Sequence, residues 1–129
     1  MSGSATGRQR ACLVVDDSVT VRRVLRGILE RLGWSVDEAG TGGDALQACR
    51  GRLPELIMVD WNMPGMDGLA FVKALRAVHG GTRPVVIFCT TNSALLQIEA
   101  ALGAGADEYI MKPFDEEILR GKLEQTGLL

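Results

Sequence analysis

Five short apolar, β-rich runs, at 11–15, 34–38, 55–59, 84–89 and 107–110, alternate with five stretches of helical spacing along 129 residues. Few folds admit that order. Parallel strands need a long crossover between them, normally a helix, and the crossover is right-handed, so five βα units in succession wind one parallel sheet with helices on both faces. Leu13-Val14-Val15 and Leu56-Ile57-Met58-Val59 are continuous apolar runs rather than alternating ones, as strands buried on both faces should be. The expected fold is α/β, a single (βα)5 doubly wound parallel five-stranded sheet. The length suits one core. Polar residues 1–10 read as a flexible N-terminal tail and residues 11–129 as the domain.

The helices have distinct signatures. Val21, Val24, Leu25, Ile28, Leu29 and Leu32 recur at helical spacing between a capping Ser18 and a terminating Gly33. Gly42-Gly43 opens a second, Ala-rich helix ending near Gly51. Phe71, Val72, Leu75 and Val78 mark a third after Asp67-Gly68. A weakly amphipathic fourth spans about 93–103, and the last runs from Asp115 to Gln125 with Ile118, Leu119 and Leu123 inward.

Open α/β sheets place their ligands at the carboxyl ends of the strands. There this chain offers Asp16 and Asp17 after strand one, Asp60 after strand three, Thr90 and Thr91 after strand four, and Lys112-Pro113 after strand five. Two carboxylates about 4 Å apart repel by roughly 4 kcal/mol at an effective dielectric near 20, so three in one cleft call for a hard divalent cation. Mg²⁺ suits such oxygen ligands. With the cation and Lys112 withdrawing charge, Asp60 could attack a phosphoryl group and form an acyl phosphate, while Lys112 and a threonine hydroxyl hold its oxygens. An isolated Asp at a strand end more often caps a helix, and Asp67 is read that way; Asp115, Glu116 and Glu117 read as first-turn charges of the last helix.

Other chemistries find less support. A net charge of −2 gives no basic patch for nucleic acid or an anionic membrane. No apolar run reaches the ~20 residues of a membrane span, and residues 1–10 lack a signal peptide's hydrophobic stretch, so a cytoplasmic protein is expected. Cys12, Cys49 and Cys89 are scattered and odd in number, which suits small reduced core residues rather than zinc ligands or disulfides. His79 stands in the polar stretch His79-Gly80-Gly81-Thr82-Arg83 and reads as a solvated loop residue, leaving histidine-dependent triads without a base.

Together, Asp16-Asp17, the segment Val59-Asp60-Trp61-Asn62-Met63-Pro64-Gly65-Met66-Asp67-Gly68, Thr90, and Lys112-Pro113-Phe114 resemble a response-regulator receiver domain over residues 11 to 125. The resemblance implies a flavodoxin-like, CheY-like fold and the roles of each residue. Asp60 would be the phosphoacceptor. Asp16, Asp17, Asp60 and the Asn62 backbone carbonyl would bind Mg²⁺, and Thr90 and Lys112 would contact the phosphoryl group. Counting back from Lys112 by the family's spacing selects Thr90 over Thr91, which would cap or turn into the next helix. The Lys112-Pro113 peptide would be cis, otherwise a minority state. Thr90 and Tyr109 would form a switch acting through helix 4, strand 5 and helix 5; Tyr109 could equally be an amphipathic residue packed on its strand.

Within the family the chain is most similar to the single-domain chemotaxis type, through Asp60-Trp61-Asn62-Met63-Pro64, the Arg22-Arg23 pair and Tyr109. That likeness implies a histidine kinase or phosphotransfer protein as donor, a phosphorylation-dependent target such as the flagellar motor switch, and a monomer. With no output domain after the last helix, the expected action is binding. A phosphate sink, a relay shuttle in phosphorelay or stress signalling, and a phosphorylation-independent adaptor remain open. An aspartyl-phosphate hydrolase would want a second carboxylate where Asn62 stands, so self-phosphorylation and autodephosphorylation are the only reactions expected. A flavin-type binder would place a phosphate loop where Asp16-Asp17 repel phosphate.

Overall fold

The computed structural model describes residues 10–91 and 95–129. β1 (Arg10–Val15), α1 (Val19–Arg31), β2 (Trp34–Ala39), α2 (Gly42–Gly51), β3 (Leu56–Asp60), α3 (Gly68–Ala77), β4 (Val85–Thr90), α4 (Leu95–Ala104), β5 (Glu108–Met111) and α5 (Glu116–Gln125) alternate as the sequence pattern requires. All strands pair in parallel, in the order β2-β1-β3-β4-β5. Winding reverses between β1 and β3, and such a switch point opens a crevice beyond the strands' carboxyl ends.

Both faces of the sheet are dry, which is why the strands are apolar throughout. Leu13, Val15, Ile57, Val59, Val86 and Phe88 pack with α2, α3 and α4 through residues such as Leu46, Phe71, Val72 and Ala101. Cys12, Val14, Met58, Ile87, Cys89 and Ile110 point to the other face, against Leu25, Leu29, Leu119 and Leu123 of α1 and α5. The three cysteines are buried and free, as expected. Burial pushes the Cys49 thiol up to about 11 and the Cys89 thiol to about 12, so neither supplies thiolate near neutrality.

Several details differ from the sequence reading. Arg10 belongs to β1, paired with Trp34, rather than to the tail, whose residues 1–9 lie outside the described residues. β4 begins at Val85 because Pro84 has no N–H for the ladder. The expected start of the fourth helix at 93 also lies outside the described residues. Val24 and Ile118 face outward, 59% and 50% exposed. Each immediately precedes an inward leucine, Leu25 or Leu119, and one residue turns an α-helix by about 100°. Ser18 and Gly33 behave as expected: Ser18 Oγ accepts from Val21 N at 3.2 Å, and Gly33 takes φ +97°, a left-handed turn favouring glycine.

Arg76 was not singled out by its sequence context, yet it ties the α3–β4 and α4–β5 loops together. Its guanidinium donates to the carbonyls of Gly81 (2.9 Å), Pro84 (2.7 Å) and Gly105 (2.6 Å) and to Asp107 (3.1 Å). Arg76→Ala orphans several carbonyls at once, so urea unfolding is expected to show a loss of about 2 kcal/mol. An unchanged midpoint would show that water replaces the guanidinium at no cost.

Candidate functional site

Three carboxylates meet at the switch point. Asp16 follows β1, Asp60 ends β3, and Asp17 lies beside Asp16 in the β1–α1 turn; each offers an oxygen within 4.8 Å of the others. Asp16 is 3% exposed, Asp60 half-buried and Asp17 exposed. Lys112 reaches in from the end of β5, its Nζ 3.0 Å from Asp16 Oδ2 and 3.2 Å from Asp60 Oδ1. The Lys112-Pro113 peptide is cis.

Each polar atom of Asp16 has a partner. Its N donates to Ala39 O at 3.1 Å and its O accepts from Arg22 Nη1 at 2.6 Å. Oδ1 accepts from Ser18 N at 2.9 Å while Oδ2 takes Lys112. Such donors replace the water that a carboxylate loses on burial. Asp60 is less well served. Burial raises its pKa, Lys112 opposes this, and Asp16 and Asp17 raise it again, leaving the carboxyl above the ordinary Asp value. Burial pushes Lys112 down, but the hydrogen bond to Asp16 and the fields of Asp60 and Asp16 outweigh it and hold the ammonium above its usual value.

The turn after Asp60 is set by close packing. Trp61 N donates to Cys89 O at 3.3 Å, and Gly68 N returns to Trp61 O at 3.0 Å. A Cβ on Gly68 would lie 2.4 Å from Asp60 O and 2.7 Å from Phe88 Cε1, so only glycine lets α3 start this close to Asp60. Asp67 caps α3 by accepting from Ala70 N at 2.8 Å, as its position suggested, and Asp115 likewise caps α5. Asn62 sits exposed in the same turn.

Thr90 ends β4, 6% exposed, and its carbonyl accepts from Lys112 N at 2.8 Å; Thr91 is exposed. Tyr109 is half-buried on β5, with Lys122 Nζ 4.7 Å from its ring centroid. Thr90 and Tyr109 line a small gap of about 10 Å³ with Trp61, Phe88, Gln97, Ile98 and Ala101. The Trp61 and Phe88 rings meet at a tilt of 48°, their centroids 5.3 Å apart. His79 is exposed, away from these groups.

The structure brings together the expected acids and Lys112, while the sequence reading named Arg22 only as part of the Arg22-Arg23 pair and did not place Arg22 and Glu38 behind Asp16. Arg22 Nε lies 3.0 Å from Glu38 Oε1. The spacing of Arg22, six residues after Asp16 on the first helix, is too common a pattern to reveal that contact, and nothing local marks Glu38.

This all-oxygen cluster, with one ammonium against three carboxylates, suits a hard divalent cation such as Mg²⁺. Comparison with known proteins agrees with the geometry. The chain belongs to the response regulator receiver domain family, whose model matches residues 12–124. It is 40% identical to chemotaxis protein CheY1 of Helicobacter pylori strain J99 over 114 residues, 87% of this chain and 92% of that one. A CheY homolog of Campylobacter jejuni is 40% identical over 116 residues, 88% of this chain and 89% of that protein. Among solved structures, Vibrio cholerae chemotaxis protein CheY4 superposes with a TM-score of 0.87 at 30% identity, covering 92% of this chain and 98% of that one. The CheY-like fold expected from the sequence is therefore the fold observed. No helix among the described residues is long and apolar enough to cross a membrane.

Proposed function

We propose that this protein is a cytoplasmic, single-domain response regulator that stores a phosphoryl group on Asp60 and thereby switches a binding surface, in chemotaxis. The observation that carries this reading is Lys112 bridging Asp16 and Asp60 within the three-acid cluster. Such an arrangement aims a carboxylate nucleophile and gathers positive charge where phosphoryl oxygens arrive.

In this reading an Asp60 carboxylate oxygen attacks the phosphorus of a phosphohistidine on a histidine kinase or phosphotransfer protein. The O–P bond forms as the P–N bond breaks, and the departing imidazole nitrogen takes a proton from solvent. Asp16, Asp17, Asp60 and the Asn62 carbonyl would hold Mg²⁺, which when bound neutralises charge on the transferring group. Lys112 would leave its place between the two carboxylates to hold one phosphoryl oxygen, and the Thr90 hydroxyl another.

The new charge would stand at the end of β3, whose neighbour β4 ends in Thr90, and Thr90 and Tyr109 line one gap, so an inward shift of the Thr90 hydroxyl would change the space beside the Tyr109 ring. The affected surface would be α4–β5–α5, where Leu96 and Leu102 stand 80% and 43% exposed. Apolar side chains facing solvent there suit a protein target, such as a flagellar motor switch, engaged by a monomer. The chemotaxis names of the relatives favour a role in chemotaxis.

Beryllofluoride with Mg²⁺ should mimic the phosphoryl group. Amide shifts are expected at Asp60 and across 90–112, and a pull-down should retain a partner only in its presence. Shifts confined to Asp60 and its neighbours would overturn the switch. Mg²⁺ at about 100 times its Kd should raise the unfolding free energy by about 2.7 kcal/mol.

A further inference from the structure

The carbonyl of Asp16 marks the point where β1 leaves the sheet. Its own N still pairs with Ala39 O of β2, but the carbonyl accepts from the Arg22 guanidinium at 2.6 Å. That guanidinium is itself held. Its Nε meets Glu38 Oε1 at 3.0 Å, and the second oxygen of Glu38 meets Arg26 Nη1 at 3.0 Å. Arg26 also donates to the Val36 carbonyl, fastening the group to β2. The Arg22 and Glu38 side chains are only 15% and 19% exposed.

We propose that Arg22 is a positioning residue of the cation site, fixing the peptide plane between Asp16 and Asp17 and so the directions in which two successive carboxylates leave the chain. The inference rests on the reading of Asp16, Asp17 and Asp60 as a Mg²⁺ site. Asp16 has its side chain fixed separately, by Ser18 N and Lys112. Asp17 forms no side-chain hydrogen bond or ion pair among the described residues, so its aim depends on the peptide that precedes it. Groups that orient metal ligands from behind commonly contribute 10- to 100-fold to affinity.

Charge and position predict opposite signs here. Arg22 is a cation near a cation site, so removing its charge alone would tighten Mg²⁺ binding. Loss of the hydrogen bond to Asp16 O frees the 16–17 peptide and weakens it. Mg²⁺ titrated calorimetrically into the full chain tests this. Arg22→Gln is expected to bind about 10-fold more weakly than wild type. Arg23→Gln makes the same charge change from an exposed position and should bind as tightly as wild type, or more so. Arg22→Lys, which keeps one donor group, should fall between wild type and Arg22→Gln. If Arg22→Gln fails to fold, Arg22→Lys decides, and a Kd at or below wild type overturns the proposal. Undiminished binding by folded Arg22→Gln, or equal weakening by Arg23→Gln, overturns the positioning role alone. A wild type that binds no Mg²⁺ overturns the cation site itself and this role with it.

Discussion

Asp60→Asn is expected to lose phosphorylation and gain stability in the same molecule. The amide is a poor nucleophile, so uptake of phosphate from acetyl phosphate, followed by mass or radiolabel, should fall by more than about 1,000-fold. Stability moves the other way because the charged form of Asp60 is disfavoured in the folded protein, by burial first and by Asp16 and Asp17 after. A carboxyl whose folded pKa lies above its unfolded value binds more protons when folded. Stability then falls as pH rises from the ordinary Asp value through the raised one, and the deficit persists at neutrality. Asparagine carries no such charge. Its urea midpoint should exceed that of wild type at pH 7 without Mg²⁺, and the gap should close as pH falls below the ordinary Asp range. Retained phosphate uptake would remove Asp60 as the acceptor. A lower midpoint at neutral pH would mean that its bridge to Lys112 outweighs the repulsion.

Lys112→Met should have the second-largest effect, with a different signature. Loss of a preorganised donor to developing oxyanion charge typically costs 10²- to 10³-fold, and the initial phosphorylation rate is expected to fall by about that much. Mg²⁺ binding should tighten, since one cation no longer competes with another for the same carboxylates. Unfolding should be easier at pH 7 by about 3 kcal/mol, because Asp16, 3% exposed, loses its ammonium partner. The pH dependence follows from the raised pKa of Lys112. Its contribution is complete below the ordinary lysine value and fades as pH climbs through the raised one, so the difference between wild type and variant shrinks in strong alkali. An unchanged phosphorylation rate with tightened Mg²⁺ would reduce Lys112 to a structural counter-charge.

The site was legible because each member carries a local signal. Asp16, Asp60 and Thr90 end apolar strands, and Lys112 precedes a proline, so parallel pairing alone was enough to collect them at one edge. The acids' unequal standing was not legible. Adjacent in sequence, Asp16 is buried with every polar atom bonded while Asp17 is exposed, a difference created by Ser18, Arg22, Ala39 and Lys112 from four different places in the chain. The outward turn of Val24 and Ile118 was likewise undetermined, since either fits an apolar stripe until the sheet fixes which edge of the helix it covers.

The sequence by itself determined the winding and the chemistry of the strand ends. Hydrophobic period and crossover handedness act over a few dozen residues and leave little choice of topology. Only the tertiary structure decided how the charges share their environment: which carboxylate is buried, which the ammonium bridges, and which carbonyl Arg22 holds. Those outcomes depend on distances of about 3 Å between residues up to 96 positions apart, and electrostatic energies change steeply over such distances in a partly dry site.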